Sequence, residues 1–248
     1  MLLNDLRDYI ARLLEPDRFR DYCPNGLQVE GKTEVRRIAS GVTASQKLLE
    51  AATTWKADAI LVHHGFFWRN ENATITGTKK RRIAHLLQHD VSLLAYHLPL
   101  DAHAELGNNA QLAQLLGFME HGRFGEQEIA WHGELAQQQT LSQLTVKIHR
   151  TLERVPLVIA DGDPQIRRIA WCTGAAQGYF EEAVALGVDA FLTGEISEQN
   201  VHLAQETGVA FIAAGHHATE RYGVQALGNH LAEHCGVEHC FFDLANPV

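Results

Sequence analysis

Two hydrophobic rhythms share this chain, a helical spacing of three to four residues and short unbroken apolar runs. Leu2, Leu3, Leu6, Tyr9, Ile10, Leu13 and Leu14 fall along one helical face, with Asp5 and Asp8 among them. That predicts a packed amphipathic helix and not an export leader. Residues 22–28 carry Pro24 and the pair Asn25-Gly26 and read as a loop. Strands follow over 37–42, 58–62 and 91–95, separated by helices over 45–54 and 79–88 and by a polar stretch over 66–78. A further helix is predicted from Asn108 to residue 116. Then come a strand over 129–135, a Gln-rich turn, a helix from Thr140, a strand over 157–159 and a turn over 161–164. Strands alternating with helices of this length predict an α/β fold with mostly parallel sheets flanked by helices.

The pattern then recurs. Arg36-Arg37-Ile38-Ala39 returns as Arg167-Arg168-Ile169-Ala170, and at the same spacing Gln46 matches Gln177, Glu50 matches Glu181 and Asp58-Ala59 matches Asp189-Ala190. Two similar α/β units produced by internal duplication are therefore expected, divided near 1–124 and 125–248, with no inserted third domain.

An apolar content of 46% with 21% charged residues is that of an ordinary globular protein. The formal net charge of −9 argues against nucleic-acid or anionic-membrane partners. No apolar run reaches the roughly 20 residues of a membrane-spanning helix. Cys23, Cys172, Cys235 and Cys240 form no C-x-x-C pair, so reduced thiols and a cytoplasmic location are expected. Residues 26–33 match the phosphate-loop pattern letter for letter. That motif needs a strand before it and a helix after it, and here a helix and loop precede a strand, so a simple turn is expected.

Fifteen histidines, against five tyrosines, point towards metal chemistry. Three clusters lie where predicted strands end: His63-His64, His97-x-x-x-Asp101 and His216-x-x-x-Glu220. Strand carboxyl ends are where open α/β sheets bind ligands. Adjacent imidazoles at a strand end point to opposite sides and suit two different ions better than one. The mixture of imidazole and carboxylate suits Zn, Fe(II) or Mn, and five such ligands exceed what one catalytic zinc takes. Two divalent metal ions in one composite site between the units is the resulting expectation. The second unit carries Gly194-Glu195 where the first has the double histidine. Lys79, Lys80, Arg81 and Arg82 are candidates for contacting an anionic substrate, against the plainer reading of a solvated helix start.

Pro24-Asn25-Gly26-Leu27-Gln28-Val29, Gly41-Val42-Thr43-Ala44-Ser45, Val62-His63-His64-Gly65, His97-Leu98-Pro99-Leu100-Asp101, Gly107-Asn108-Asn109, Thr193-Gly194-Glu195 and Gly215-His216-His217-Ala218-Thr219-Glu220 together resemble the NIF-three-like family. The resemblance covers the whole chain and is closest to the bacterial YbgI branch, often labelled GTP cyclohydrolase I type II homologues. It implies dimetal ligands His63, His64, Asp101, His216 and Glu220, with His97 and Glu195 as catalytic or supporting residues. It further implies a hydrolase acting on a nucleotide-like or other small anionic substrate, and a homohexameric ring built as a trimer of dimers. Many relatives carry proline where this chain has Gly65. The rival expectation is a non-enzymatic metal-binding ring that stores or delivers ions or acts as a scaffold.

Overall fold

The computed structural model describes residues 1–248. In chain order its elements are α1 (Leu3–Leu14), β1 (Gly26–Val29), β2 (Arg37–Thr43), α2 (Gln46–Thr54), β3 (Ala59–His64), α3 (Gly77–His89), β4 (Ser92–Ala95) and α4 (Leu98–Ala102). They continue as α5 (Asn108–Leu116), β5 (Phe118–Phe124), β6 (Ala130–Thr140), α6 (Leu141–Leu152), β7 (Leu157–Ile159), β8 (Gln165–Trp171), α7 (Phe180–Ala185), β9 (Ala190–Thr193), α8 (Glu198–Thr207), β10 (Ala210–Ala213), α9 (His216–Thr219), α10 (Arg221–Cys235) and β11 (Glu238–Phe241).

The chain forms two compact units, one of residues 1–107 and 223–245 and the other of 108–222 and 246–248. This differs from a single cut near residue 124, because the chain's end returns to the first unit. There β11 pairs in parallel with β2. Val224, Leu227 and Leu231 of α10 join Leu3, Leu6 and Ile10 of α1 in one buried layer. A polar latch fixes the returning strand: Asn229 Oδ1 accepts from His239 Nδ1 at 2.9 Å, and Ser40 Oγ donates to His239 Nε2 at 2.7 Å. Serine, histidine and amide in that order mimic a nucleophilic triad, but Ser40 is fully buried, so no substrate reaches it.

In the first unit the strand order is β1-β4-β3-β2-β11, parallel throughout except for the edge strand β1, which runs antiparallel to β4. Burial on both faces explains the near-continuous apolar run Ala59-Ile60-Leu61-Val62. One face packs on α1 and α10, the other on α2 and α3 through Leu48, Leu49, Ile83 and Leu86. Ser45 caps α2, accepting from the Leu48 N–H.

The second unit has the order β5-β6-β8-β9-β10-β7. Its β8-β9-β10 centre is parallel, and antiparallel pairs flank it. The Gln-rich stretch read as a turn is the end of β6, where Gln139 and Thr140 pair with Ile166 and Gln165 across a register shift. Three consecutive exposed or half-exposed glutamines hide a strand whose neighbour, and not its own pattern, defines it. Thr140 opens α6 with a reciprocal capping box to Gln143.

The expected recurrence extends to topology. The order β1-β4-β3-β2 is matched by β7-β10-β9-β8, with the first pair antiparallel in both units. Ile38 lies opposite Ala59 as Ile169 lies opposite Ala190. Asp58 Oδ2 accepts from the Arg36 and Arg37 N–H groups at 3.0 and 3.1 Å, and Asp189 Oδ2 accepts from those of Arg167 and Arg168 at 2.8 and 2.7 Å.

The phosphate-loop match is neither a phosphate loop nor a simple turn, and the loop expected over 22–28 ends in a strand, because residues 26–29 pair with β4 at the sheet edge. Its first half is the strand β1, and the Gly31 and Lys32 N–H groups bond Ser92 Oγ and the Asp90 carbonyl. Gly31 is required because a Cβ there would lie 2.6 Å from the Val91 carbonyl carbon.

Candidate metal centre

In the first unit β3 delivers His63 and His64, and the β4–α4 junction delivers His97 and Asp101. His63 is fully buried, and its Nδ1–H donates to the Tyr96 carbonyl at 3.0 Å. A carbonyl can only accept, so Nδ1 carries a proton and Nε2 is the ring nitrogen left to face Asp101. Nε2 lies 3.5 Å from Asp101 Oδ1, itself on a buried residue. An imidazole nitrogen and a carboxylate oxygen this close and buried are donor types that a divalent cation takes, and the backbone bond at Nδ1 is the usual way a ligating histidine is oriented.

The ligand-capable atoms of His63, His64 and His97 lie within 4.8 Å of one another. The His63 and His64 rings are 4.5 Å apart and tilted by 44°. They do not diverge as strict strand alternation implies, because His64 ends β3 and Gly65 turns the chain immediately afterwards. Thr43 Oγ1 lies 3.3 Å from His64 Nδ1.

Residues 21–28 brace this cluster, and three of them were missed by sequence reasoning as functional. Asp21 Oδ1 accepts from His97 Nδ1 at 2.7 Å, and its Oδ2 accepts from the Leu98 N–H at 2.9 Å and from Asn25 Nδ2 at 2.8 Å. Burial alone would raise the Asp21 pKa, but the bond and charge of His97, with Asn25 and the Tyr22 N–H, hold it down at about 2. Asn25 Oδ1 accepts from the His97 N–H at 2.7 Å. Gln28 ties the loop to the segment after β3, accepting from the Phe66 N–H and donating to the Phe66 and Pro24 carbonyls. The clue available was the run Pro24-Asn25-Gly26-Leu27-Gln28 itself, whose amides the loop needs as brackets. Cys23 is buried beside them, and burial with the Asp21 charge pushes its thiol up to about 12, so it is inert as a nucleophile at neutral pH.

In the second unit, His216 opens α9 and Glu220 lies between α9 and α10. His216 Nε2 is 3.1 Å from Glu220 Oε2, and its Nδ1 is 2.6 Å from Glu195 Oε1. Glu195 follows β9 where His64 ends β3 in the first unit. Burial opposes the charge on His216, yet the two carboxylates raise its pKa to about 9. Gly174 lets Glu220 lie against the chain: a Cβ there would collide with Glu220 Oε1, and φ is +71°. Its N–H donates to Thr219 Oγ1 at 3.0 Å, pinning the segment that carries both ligand-type residues.

Lys79, Lys80, Arg81 and Arg82 occupy the first turns of α3. Lys79 pairs with Glu71 at 3.4 Å and lies over the Phe67 ring, while Arg81 donates to Thr78 Oγ1. These are contacts within the helix start and the loop before it.

Mixed α/β units with imidazole–carboxylate clusters at strand carboxyl ends define a protein with candidate metal-binding groups. Comparison with known proteins makes this specific: residues 1–247 match the Duf34/NIF3 (NGG1p interacting factor 3) family model, and the chain belongs to that family. It is 55% identical over 249 residues, covering 99% of this chain and 98% of the relative, to a Pseudomonas aeruginosa protein named GTP cyclohydrolase 1 type 2 homolog. A Neisseria meningitidis serogroup B protein of the same name is 54% identical over the full length of both chains. Among solved structures, one described as protein ybgI of unknown function superposes with a TM-score of 0.97 at 47% identity, covering all of both chains. TTHA1606 from Thermus thermophilus superposes with 0.91 at 32% identity, again over all of both chains. No helix is long and apolar enough to cross a membrane.

Proposed function

We propose that this protein is a metal-dependent hydrolase with a dinuclear centre. Its ligands are His63, His64, Asp101, His216 and Glu220, and its substrate is a nucleotide-like or other small anionic molecule. The observation that carries the reading is the oriented His63 ring, its Nδ1 held by the Tyr96 carbonyl and its Nε2 turned to the Asp101 carboxylate at 3.5 Å. The donor set, imidazole and carboxylate without thiolate, fits Zn, Fe(II) or Mn. Such ions would supply Lewis-acid activation of water and of the oxygen that gains charge.

The chain's own residues do the rest. His97, held by Asp21 and Asn25, offers a fixed imidazole for proton handling. Glu195, at 2.6 Å from His216 Nδ1, fixes that ring with Nε2 towards Glu220. Exposed Lys80 and Arg81 are the remaining candidates for meeting an anionic group. The relatives' shared name supports a nucleotide as the first substrate to try.

Protein reconstituted with Zn, Mn or Fe(II) and screened against nucleotides and phosphoesters tests this. Turnover abolished by Asp101→Ala supports it. Bound metal with no turnover across the screen supports the storage or scaffold reading instead. Family membership also motivates a cytoplasmic hexameric ring. Light scattering tests the assembly: a mass about six times 27.6 kDa supports the ring, and a monomer refutes it.

A further inference from the structure

We propose that Asp21 is a positioning residue of this centre, acting through His97 to fix which ring nitrogen faces the ligand cluster. The inference rests on the hydrolase reading for its consequence in turnover, but not for its structural content.

Asp21 is held from four directions. Its Oδ1 accepts from the Tyr22 N–H and from His97 Nδ1, and its Oδ2 accepts from the Leu98 N–H and Asn25 Nδ2. A carboxylate accepts only, so Nδ1 of His97 carries a proton and faces Asp21, and Nε2 is the nitrogen left to face the cluster. His97 has no second ring orientation that keeps these bonds, because its own N–H is held by Asn25 Oδ1 and the next residue's N–H by Asp21. His97 can therefore offer Nε2 alone to the group it forms with His63 and His64. The same loop is fastened to the segment after β3: the Arg69 N–H donates to the Tyr22 carbonyl at 2.7 Å, and Arg69 Nη2 donates to the Asp21 carbonyl at 2.6 Å. Trp68 of that segment stands edge-on to His97, with ring centroids 5.1 Å apart. Asp21 thus sets the imidazole while its own backbone anchors the wall beside it.

Asparagine is isosteric with aspartate but carries one acceptor and one donor. In Asp21→Asn, an oxygen kept on the Leu98 N–H and Asn25 amide places the new NH₂ against His97 Nδ1, at the cost of the acceptor that Oδ1 gives the Tyr22 N–H. The imidazole must then accept at Nδ1 and carry its proton on Nε2, the reverse of the native tautomer. Solid-state ¹⁵N NMR of histidine-labelled full-length protein, metal-free and Zn-loaded, reads this directly, with His97→Asn identifying the His97 signals. The expected result, read on the neutral ring, is an Nδ1–H tautomer in the native protein and an Nε2–H tautomer in Asp21→Asn. An Nε2–H tautomer in the native protein overturns the proposal, with no variant needed should Asp21→Asn not fold. An unchanged tautomer in a folded Asp21→Asn overturns it too. In the turnover assay with its active metal, Asp21→Asn is expected to lose about 10²-fold or more in kcat. A reversed tautomer with no turnover in the native protein defeats the hydrolase reading alone. Full turnover in Asp21→Asn defeats the positioning role alone.

Discussion

Metal binding by the second unit's cluster is expected to compete with a proton, and His216 sets the size of the effect. Glu220 and Glu195, at 3.1 and 2.6 Å from its two ring nitrogens, raise its pKa to about 9 in the metal-free protein. At pH 7 the ring is therefore charged, and a cation must expel that proton to use Nε2. Two pH units between 7 and 9 correspond to an apparent affinity about 100-fold weaker at pH 7 than at pH 9, a free energy of about 2.7 kcal/mol. Titration calorimetry with Zn²⁺ or Co²⁺ and a competing chelator, in buffers of differing ionisation enthalpy, measures both affinity and protons released. Affinity should rise about tenfold per pH unit from 7 towards 9, with close to one proton released by His216 at pH 7. Glu195→Gln removes one source of the raised pKa and should flatten the slope. An affinity flat from pH 7 to 9, with no proton released, would refute the reasoning. The same shift predicts the stability of the metal-free protein. A histidine pKa raised on folding stabilises fully below about 6.5 and loses that contribution as pH rises through about 9. The side chain is 25% exposed, so the full effect is put at about 1–2 kcal/mol.

Other consequences are simpler. Asp58→Ala and Asp189→Ala each remove an acceptor from two backbone N–H groups at matching places in the two units, and each should lower stability by about 1–3 kcal/mol in denaturant titrations. Asp58 titrates below the usual carboxylate range because Lys32 and the Arg36 and Arg37 N–H groups outweigh its burial, so its contribution, present above pH 3.8, should fade as pH falls below that value. Gly31→Ala, whose Cβ would meet the backbone of Asp90 and Val91, should cost about 1–3 kcal/mol; rescue of its melting temperature by a nucleotide would revive the phosphate-loop reading. Gln28→Ala should loosen the segment after β3 without unfolding the core, seen as faster hydrogen exchange at the Phe66 amide with little change in the melting temperature.

The parallel core was legible because its strands are buried on both faces and therefore read as apolar runs, as at Ile60-Leu61-Val62. The recurrence was legible because Asp58 and Asp189 perform the same backbone-capping task and retain the same flanking arginines. The glutamine-rich end of β6 was not legible, since its pairing with β8 leaves no apolar alternation in its own sequence. Nor was the return of residues 223–245 to the first unit, which depends on the pairing of β11 with β2, remote in sequence. At the candidate site the histidines and their carboxylates announced themselves by spacing. Asp21 did not: it lies 76 residues before His97, and only the fold brings the two to 2.7 Å.

The central proposal is that His63, His64, Asp101, His216 and Glu220 hold a pair of cations. Anomalous diffraction from crystals of protein purified without chelator tests it most directly, using data collected on either side of the Zn, Fe and Mn absorption edges. The account predicts two anomalous peaks per chain, with His63, His64, Asp101, His216 and Glu220 as their protein ligands. A single peak, or peaks away from Asp101 and Glu220, would contradict it.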